Sequence, residues 1–391
     1  MTQKLKFNNY FTSLLNSLHT SVSKMVLSFR GILIILFFAL ISTLFVLKFS
    51  VKSEILVHDR SLFPACRMHH NLVESCDKDT CSNKQRVVVI GDVHGSAHGL
   101  FELLHWSNIT LEPLVCEWKI QEENVILVQV GDIVDRGAYA TEAWNCLRYL
   151  QESAPAGSKV IRLVGNHELW WLGGHYHQKH DEDSYDKVKH IVLSMKDDIL
   201  SGKMKAAFSL ESTDVSLLFV HAGIRPHFFQ YMQQTLQDHD LTGEEVAVYM
   251  NELLHKHTRA CPGFPRTDCS FSDELFEAGS DRGGRNIGGP FWTDFSVLEK
   301  AAKRGELPNN IIQVVGHTAV HCDGPENCPN GLVRTSSGLL AVCVDGGMYY
   351  GNRGFLEISG DGIFRSFEKK SQGNKEWNVR DISAEFCQQA V

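Results

Sequence analysis

Five short clusters in this chain combine glycine with side chains that bind metals or move protons. They read Gly91-Asp92-Val93-His94-Gly95, Gly131-Asp132-Ile133-Val134-Asp135-Arg136-Gly137, Gly165-Asn166-His167-Glu168, His221-Ala222-Gly223 and Gly316-His317-Thr318. Asp92, His94, Asp132, Asn166, His221 and His317 together offer carboxylate, imidazole and amide oxygen, a donor set for borderline divalent metals such as Mn, Fe or Zn. The glycines allow tight turns and let backbone approach an ion. A single tripeptide of this kind is an ordinary turn. Five of them in matching positions imply one site.

The matching position is the end of a strand. Each cluster follows an apolar run of five or six residues, at 86–90, 125–130, 159–164, 215–220 and 311–315. Such runs, bounded by turn residues, predict strands buried on both faces. Helical patterns at 97–106 and 138–151 intervene, giving a βαβαβ order, and further strands are predicted at 339–344 and 354–358. Sites in open α/β sheets assemble outside the carboxyl ends of the strands, so the five clusters should converge. The predicted fold is α/β, with mixed sheets sandwiched between helices. Residues 170–190, rich in His and acids, read as a solvated helical cap beside the site rather than a third metal site. Residues 227–285 combine helical patterns with a Cys-, Gly- and Asp-rich loop and read as an insertion or lid.

The 391 residues are 43% apolar, enough for a full core, and this excludes a disordered chain or a multi-span membrane protein. The net charge is −8, although Lys4, Lys6, Lys24, Arg30 and Lys48 stand in a leader without acids. An acidic body without a basic run excludes a nucleic-acid partner. Residues 31–47 are uncharged and reach roughly 26 Å as a helix, which predicts a single spanning anchor with Arg30 and Lys48 at its ends. The basic bias toward the N-terminal side predicts a type II orientation. The plan is a cytoplasmic tail (1–30), a signal-anchor helix (31–49), a stalk (50–84), a catalytic domain (85–370) and a C-terminal tail (371–391). All 11 cysteines follow the anchor. Cys66, Cys76 and Cys81, Cys261 and Cys269, and Cys322 and Cys328 form local groups suited to disulfides in an oxidising lumen. Asn108-Ile109-Thr110 is a glycan acceptor there. The expected location is the secretory pathway or cell surface, with a mitochondrial or other organelle membrane as the alternative.

The ordered motifs GDVHG, GDIVDRG, GNHE, HAG and GHT resemble the calcineurin-like metallophosphoesterases, in their phosphoprotein phosphatase branch. With the run Arg285-Asn-Ile-Gly-Gly-Pro-Phe-Trp292, the pattern is most similar to the Shewanella-like phosphatases. The resemblance covers about residues 85–360 and implies two packed mixed β-sheets flanked by helices, with two divalent ions, Mn foremost. It implies Asp92 and His94 on the first metal, Asp132 bridging, and Asn166, His221 and His317 on the second. It also implies Arg136 on phosphate oxygens, His167 as general acid and Asp135 as its orienting partner. The expected substrate is a phosphoprotein or phosphopeptide, with a dinucleoside-polyphosphate hydrolase or an inactive binding ectodomain as rivals. One departure stands out. Related sequences place an arginine two residues after the tryptophan, where this chain has Asp294. The expectation is that Asp294 points away or the backbone shifts there, and that Arg282, ahead of Arg285, supplies the second guanidinium.

Overall fold

The computed structural model describes residues 85–383, apart from 120–123, 177–178, 181–183, 213–214, 239, 262–274, 285–286, 321–331, 360–362 and 370–375. The expected anchor and stalk, Arg285, and Cys66, Cys76, Cys81, Cys269, Cys322 and Cys328 lie outside them. Among the described residues no helix is long and apolar enough to cross a membrane.

The predicted runs form strands: β1 (Arg86–Ile90), β2 (Val125–Gln129) and β3 (Lys159–Leu163), with a short β4 (Met204–Lys205), pair in parallel. A second sheet contains β5 (Ala207–Glu211), β6 (Ser216–Val220), β7 (Ile311–Val315), β8 (Arg334–Thr335) and β9 (Ala341–Cys343), in the order β5-β6-β7-β9-β8. The first sheet is completed by β10 (Arg353–Ile358), β11 (Phe364–Lys369) and β12 (Asn378–Asp381), giving β12-β11-β10-β1-β2-β3-β4. β12 corrects the boundary expected at residue 370: Arg365 pairs with Asp381, and Ile382 is buried between the sheets. A four-residue strand of sequence NVRD is too short and polar to announce itself.

Side-chain alternation along the strands explains the layering. Val87, Val89, Ile126 and Val128 pack with Leu217, Phe219, Ile312 and Val314 between the sheets. Val88, Ile90 and Leu127 face outward, into a second core with the helices. These helices are α1 (Ala97–Trp106), α2 (Ala140–Glu152), α3 (Asn166–Leu172), α4 (Tyr185–Leu200), α5 (Pro226–Leu236), α6 (Gly243–Ala260) and α7 (Phe295–Lys303). Strands covered on both faces must be apolar on both, which is why they read as continuous runs. α5 and α6 fall in the stretch expected as an insertion, yet they bury Phe228, Met232, Val246, Met250 and Leu254 in the outer core.

Cys116 and Cys146 form a disulfide that joins the loop after α1 to α2, with Cα atoms 5.5 Å apart. Their 30-residue separation is why local spacing passed over them. Cys261 is also disulfide-bonded, and Cys343 is a buried free thiol.

Candidate active site

β1, β2 and β3 run parallel, as do β6 and β7, so their carboxyl ends deliver five loops to one place. Each loop must turn as soon as its strand stops. Nine non-glycine residues among those described have positive φ, and five of them are His94 (46°), Asp132 (56°), Asp135 (70°), Arg136 (65°) and His317 (66°). Such conformations cost about 1–3 kcal/mol each and persist only where surroundings over-determine them. Two glycines show how tight the packing is. A Cβ on Gly165 would lie 2.2 Å from Asp132 Oδ1, and one on Gly316 would lie 2.3 Å from Asp92 Oδ1.

The predicted ligands meet around Asp132. Its Oδ2 lies 3.4 Å from His221 Nε2 and 3.5 Å from His94 Nε2. Asp92 Oδ2 is 3.8 Å from His94 Nε2, and Asp92 Oδ1 accepts the His317 N–H at 2.9 Å. Asn166 Oδ1 sits 2.9 Å from both His221 Nε2 and His317 Nδ1. The other nitrogens of His94 and His221 contact the carbonyls of Val134 (3.0 Å) and Val130 (2.9 Å), which orients both rings with Nε2 inward. The ligand atoms fall into two groups, His94/Asp132/His167 and Asp132/His221/His317, each within 4.8 Å. His317 Nε2 is buried without a hydrogen-bond partner. Converging carboxylates, inward imidazole nitrogens and an orphaned ring nitrogen fit divalent cations.

Burial and mutual repulsion dominate the electrostatics. Burial, together with Asp345 and Asp132, pushes the Asp92 carboxyl well above the usual range. Burial opposes ionisation of Asp132 too, but His221, His167 and His94 hold it well below that range. Burial lowers His94 to about 3, and burial, His221 and the Arg282 charge hold His317 low. Burial works against the His221 cation, yet Asp132 raises its pKa.

His167 lies in the first turn of α3, and its Nδ1 lies 2.7 Å from Asp135 Oδ2. Trp171 Nε1 donates to Asp135 Oδ1 at 2.5 Å, so both carboxylate oxygens are engaged. Arg136 Nη2 lies 3.2 Å from His167 Nε2. A guanidinium only donates, so this Nε2 accepts and Nδ1 carries the proton toward Asp135. Glu168 escaped assignment, although it belongs to the GNHE run. Its Oε2 accepts the N–H groups of Asp132 (2.7 Å) and Gly165 (2.8 Å), and its Oε1 those of Ile133 (2.8 Å) and Val134 (3.2 Å). Asp345, buried after β9 against Asp92, escaped too, because one acid after a strand carries no pattern. No residue of 170–190 enters either ligand group among the described residues.

Arg282 lies in a single 3-10 turn (Ser280–Arg282), and its Nη2 is 3.0 Å from Asp294 Oδ2. The charge of Asp294 is met by Arg282, the arginine expected to compensate for it.

The chain belongs to the calcineurin-like phosphoesterase family, whose sequence profile matches residues 85–320. It is similar to the Shewanella-like protein phosphatase 1 of Plasmodium berghei, at 38% identity over 92 residues, 23% of this chain and 24% of that one. Serine/threonine-protein phosphatase 7 of Arabidopsis thaliana is 33% identical over 140 residues, 34% of this chain and 30% of that one. An uncharacterized Schizosaccharomyces pombe protein is 25% identical over 182 residues, 43% of this chain and 54% of that one. The matches thus span about half or less of these relatives' lengths, and they agree with the branch that the motif order implied. Among solved structures, a cold-active protein tyrosine phosphatase has a TM-score of 0.52 at 20% identity, over 77% of this chain and 80% of that one. That likeness shows the shared fold.

Two predictions follow from this geometry. Glu168→Gln turns an amide NH₂ toward backbone N–H donors that now meet a carboxylate, so it should destabilise the fold by about 3 kcal/mol in urea titrations. The second concerns protons and cations. Asp92 and His221 have raised pKa values in the cation-free protein, so binding must displace their protons, whereas His94 and His317 are already neutral. Affinity for Mn²⁺ should therefore rise as pH climbs through the Asp92 and His221 values. Calorimetry between pH 5.5 and 8 in two buffers should record proton release, and a pH-independent affinity would contradict this account.

Proposed function

We propose that this chain is a metal-dependent phosphomonoester hydrolase with phosphoprotein substrates and a dinuclear centre, Mn being the first candidate metal. The observation that carries this reading is Asp132 standing in both groups of ligand atoms. Asp92 and His94 would hold one ion, Asn166, His221 and His317 the other, and Asp132 both. When bound, two divalent cations supply the charge that neutralises phosphate oxygens and make a water acidic enough to attack. The other tasks fall to the chain's own side chains. Arg136 offers its planar fork to phosphate oxygens, which draws it from His167 Nε2. With Nε2 released, His167 takes a proton there from solvent and gives it to the leaving oxygen, its ring held through Nδ1–H by Asp135. Asp135 is itself gripped by Trp171. Arg282 is the second phosphate-binding arginine. The names of the relatives support serine/threonine and tyrosine phosphoesters alike.

We further propose a type II anchor at residues 31–49 and a lumenal body. The Cys116–Cys146 disulfide supports an oxidising compartment.

Catalysis and metal binding should separate by mutation. His167→Asn should retain bound metal, measured by elemental analysis, and lose turnover of an aryl phosphate by about 10²–10⁴-fold. Asp132→Asn should lose metal. Near-normal turnover in His167→Asn would remove that residue from the chemistry, and metal-loaded protein without any phosphatase turnover would favour a binding ectodomain. Hydrolysis of diadenosine tetraphosphate in preference to phosphopeptides would favour the polyphosphate reading.

Topology has its own test. Asn108 is exposed, so protein expressed in a secretory host should carry a glycan there and shift on a gel after deglycosylation. An unshifted band, with the body digested by protease from the cytosolic side, would reverse the orientation.

A further inference from the structure

Resting on the phosphatase reading, we propose that Asp294 is a positioning residue: its carboxylate fixes the Arg282 guanidinium at the mouth of the site, where that guanidinium meets substrate phosphate.

The first support is where Arg282 stands. It lines a cleft of about 380 Å³ together with Leu169, Trp170, Phe276 and Trp292. The two tryptophan rings lie 5.1 Å apart, and they join the cleft to the ligand cluster. Trp170 meets the ring of His167 at 4.8 Å and Trp292 that of His317 at 6.0 Å. Arg282 thus stands at the edge of the cluster, with its side chain about a third exposed, at 31%.

The loop that carries Arg282 has little freedom. The N–H groups of Arg282 and Gly284 both donate to the Gly279 carbonyl, at 2.9 and 2.8 Å. A Cβ on Gly284 would fall 1.8 Å from the Ala278 carbonyl oxygen, and one on Gly288 would fall 2.8 Å from Gly279 Cα. The backbone path is set. The long arginine side chain is what remains to be oriented.

The second support is what Asp294 does not do. It occupies the N-cap position of α7 with cap-like backbone angles (φ −72°, ψ 136°), where aspartate usually accepts a helix N–H. Its side chain makes no such bond. Thr318 Oγ1 accepts the Phe295 N–H instead, and the Asp294 main-chain carbonyl accepts that of Val297. The carboxylate forgoes a cap and turns to Arg282 at 3.0 Å. An ion pair this exposed adds little to stability, so its value lies in where it puts the guanidinium.

The test uses the full chain loaded with Mn²⁺, an aryl phosphate as substrate and inorganic phosphate as inhibitor and calorimetric ligand. Arg282→Ala should lose about tenfold or more in kcat/KM. Asp294→Asn, which keeps N-cap chemistry, should lose roughly three- to tenfold, seen mainly in KM and in weaker phosphate inhibition. The double variant should be no worse than Arg282→Ala, because a residue acting only through another adds nothing once that partner is gone. Thermal midpoints should stay level throughout. Losses that multiply in the double variant, or an Asp294→Asn protein that melts early with unchanged phosphate inhibition, would overturn the proposal. An unimpaired Arg282→Ala would overturn it while Mn-dependent turnover of the unaltered protein left the phosphatase reading in place. Should the unaltered protein lack turnover, that reading falls by itself, and phosphate binding by calorimetry still decides whether Asp294 acts through Arg282.

Discussion

Glu168 is the constraint on which the site depends. One buried carboxylate accepts four backbone N–H groups, from the loop after β2 and from the turn after β3. Charge-assisted hydrogen bonds of this kind are among the strongest a protein makes, and they lock together two loops from neighbouring strands. Only then can Asp132 keep its left-handed backbone and aim Oδ2 at three imidazoles. Glu168 touches Asp132 only at its main-chain N–H, and that contact decides where the central predicted ligand stands.

Like charges crowd the site. Asp92, Asp132, Glu168 and Asp345 are all buried within one region. Burial raises Asp92, Glu168 and Asp345, and each also feels a neighbouring carboxylate. Histidines offset part of this, with Asp132 drawing most of their charge. A fold that concentrates acids beside converging imidazoles is preorganised for positive charge, and the strained φ values record the cost of that preorganisation. The rim follows a different logic. There Arg282 and Asp294 are partly exposed, so their pairing acts on orientation more than on stability.

Much of this was legible along the chain. Apolar runs of five or six residues located β1, β2, β3, β6 and β7, because strands covered on both faces tolerate no polar alternation. The glycine-bounded clusters marked the donor groups that come together, because metal chemistry would restrict residue types and tight turns restrict spacing. Both signals are local, and local signals survive in one dimension. β12 was lost for the opposite reason: four residues at a sheet edge, three of them polar, obey no strong pattern, and they are held by β11 and by the burial of Ile382.

What only the tertiary structure decided is which distant groups serve one another. Cys116 finds Cys146, and Glu168 finds the backbone of the preceding loop. Trp171 finds Asp135, and Arg282 finds the aspartate whose presence had looked like a defect. Each pairing joins segments distant along the chain, and nothing in either partner's neighbours announces the other. Sequence determined the donors and the strands that carry them, since those depend on side-chain chemistry and short-range periodicity. Pairing depends on where the two sheets and their loops come together in space, so it was settled only when the chain folded.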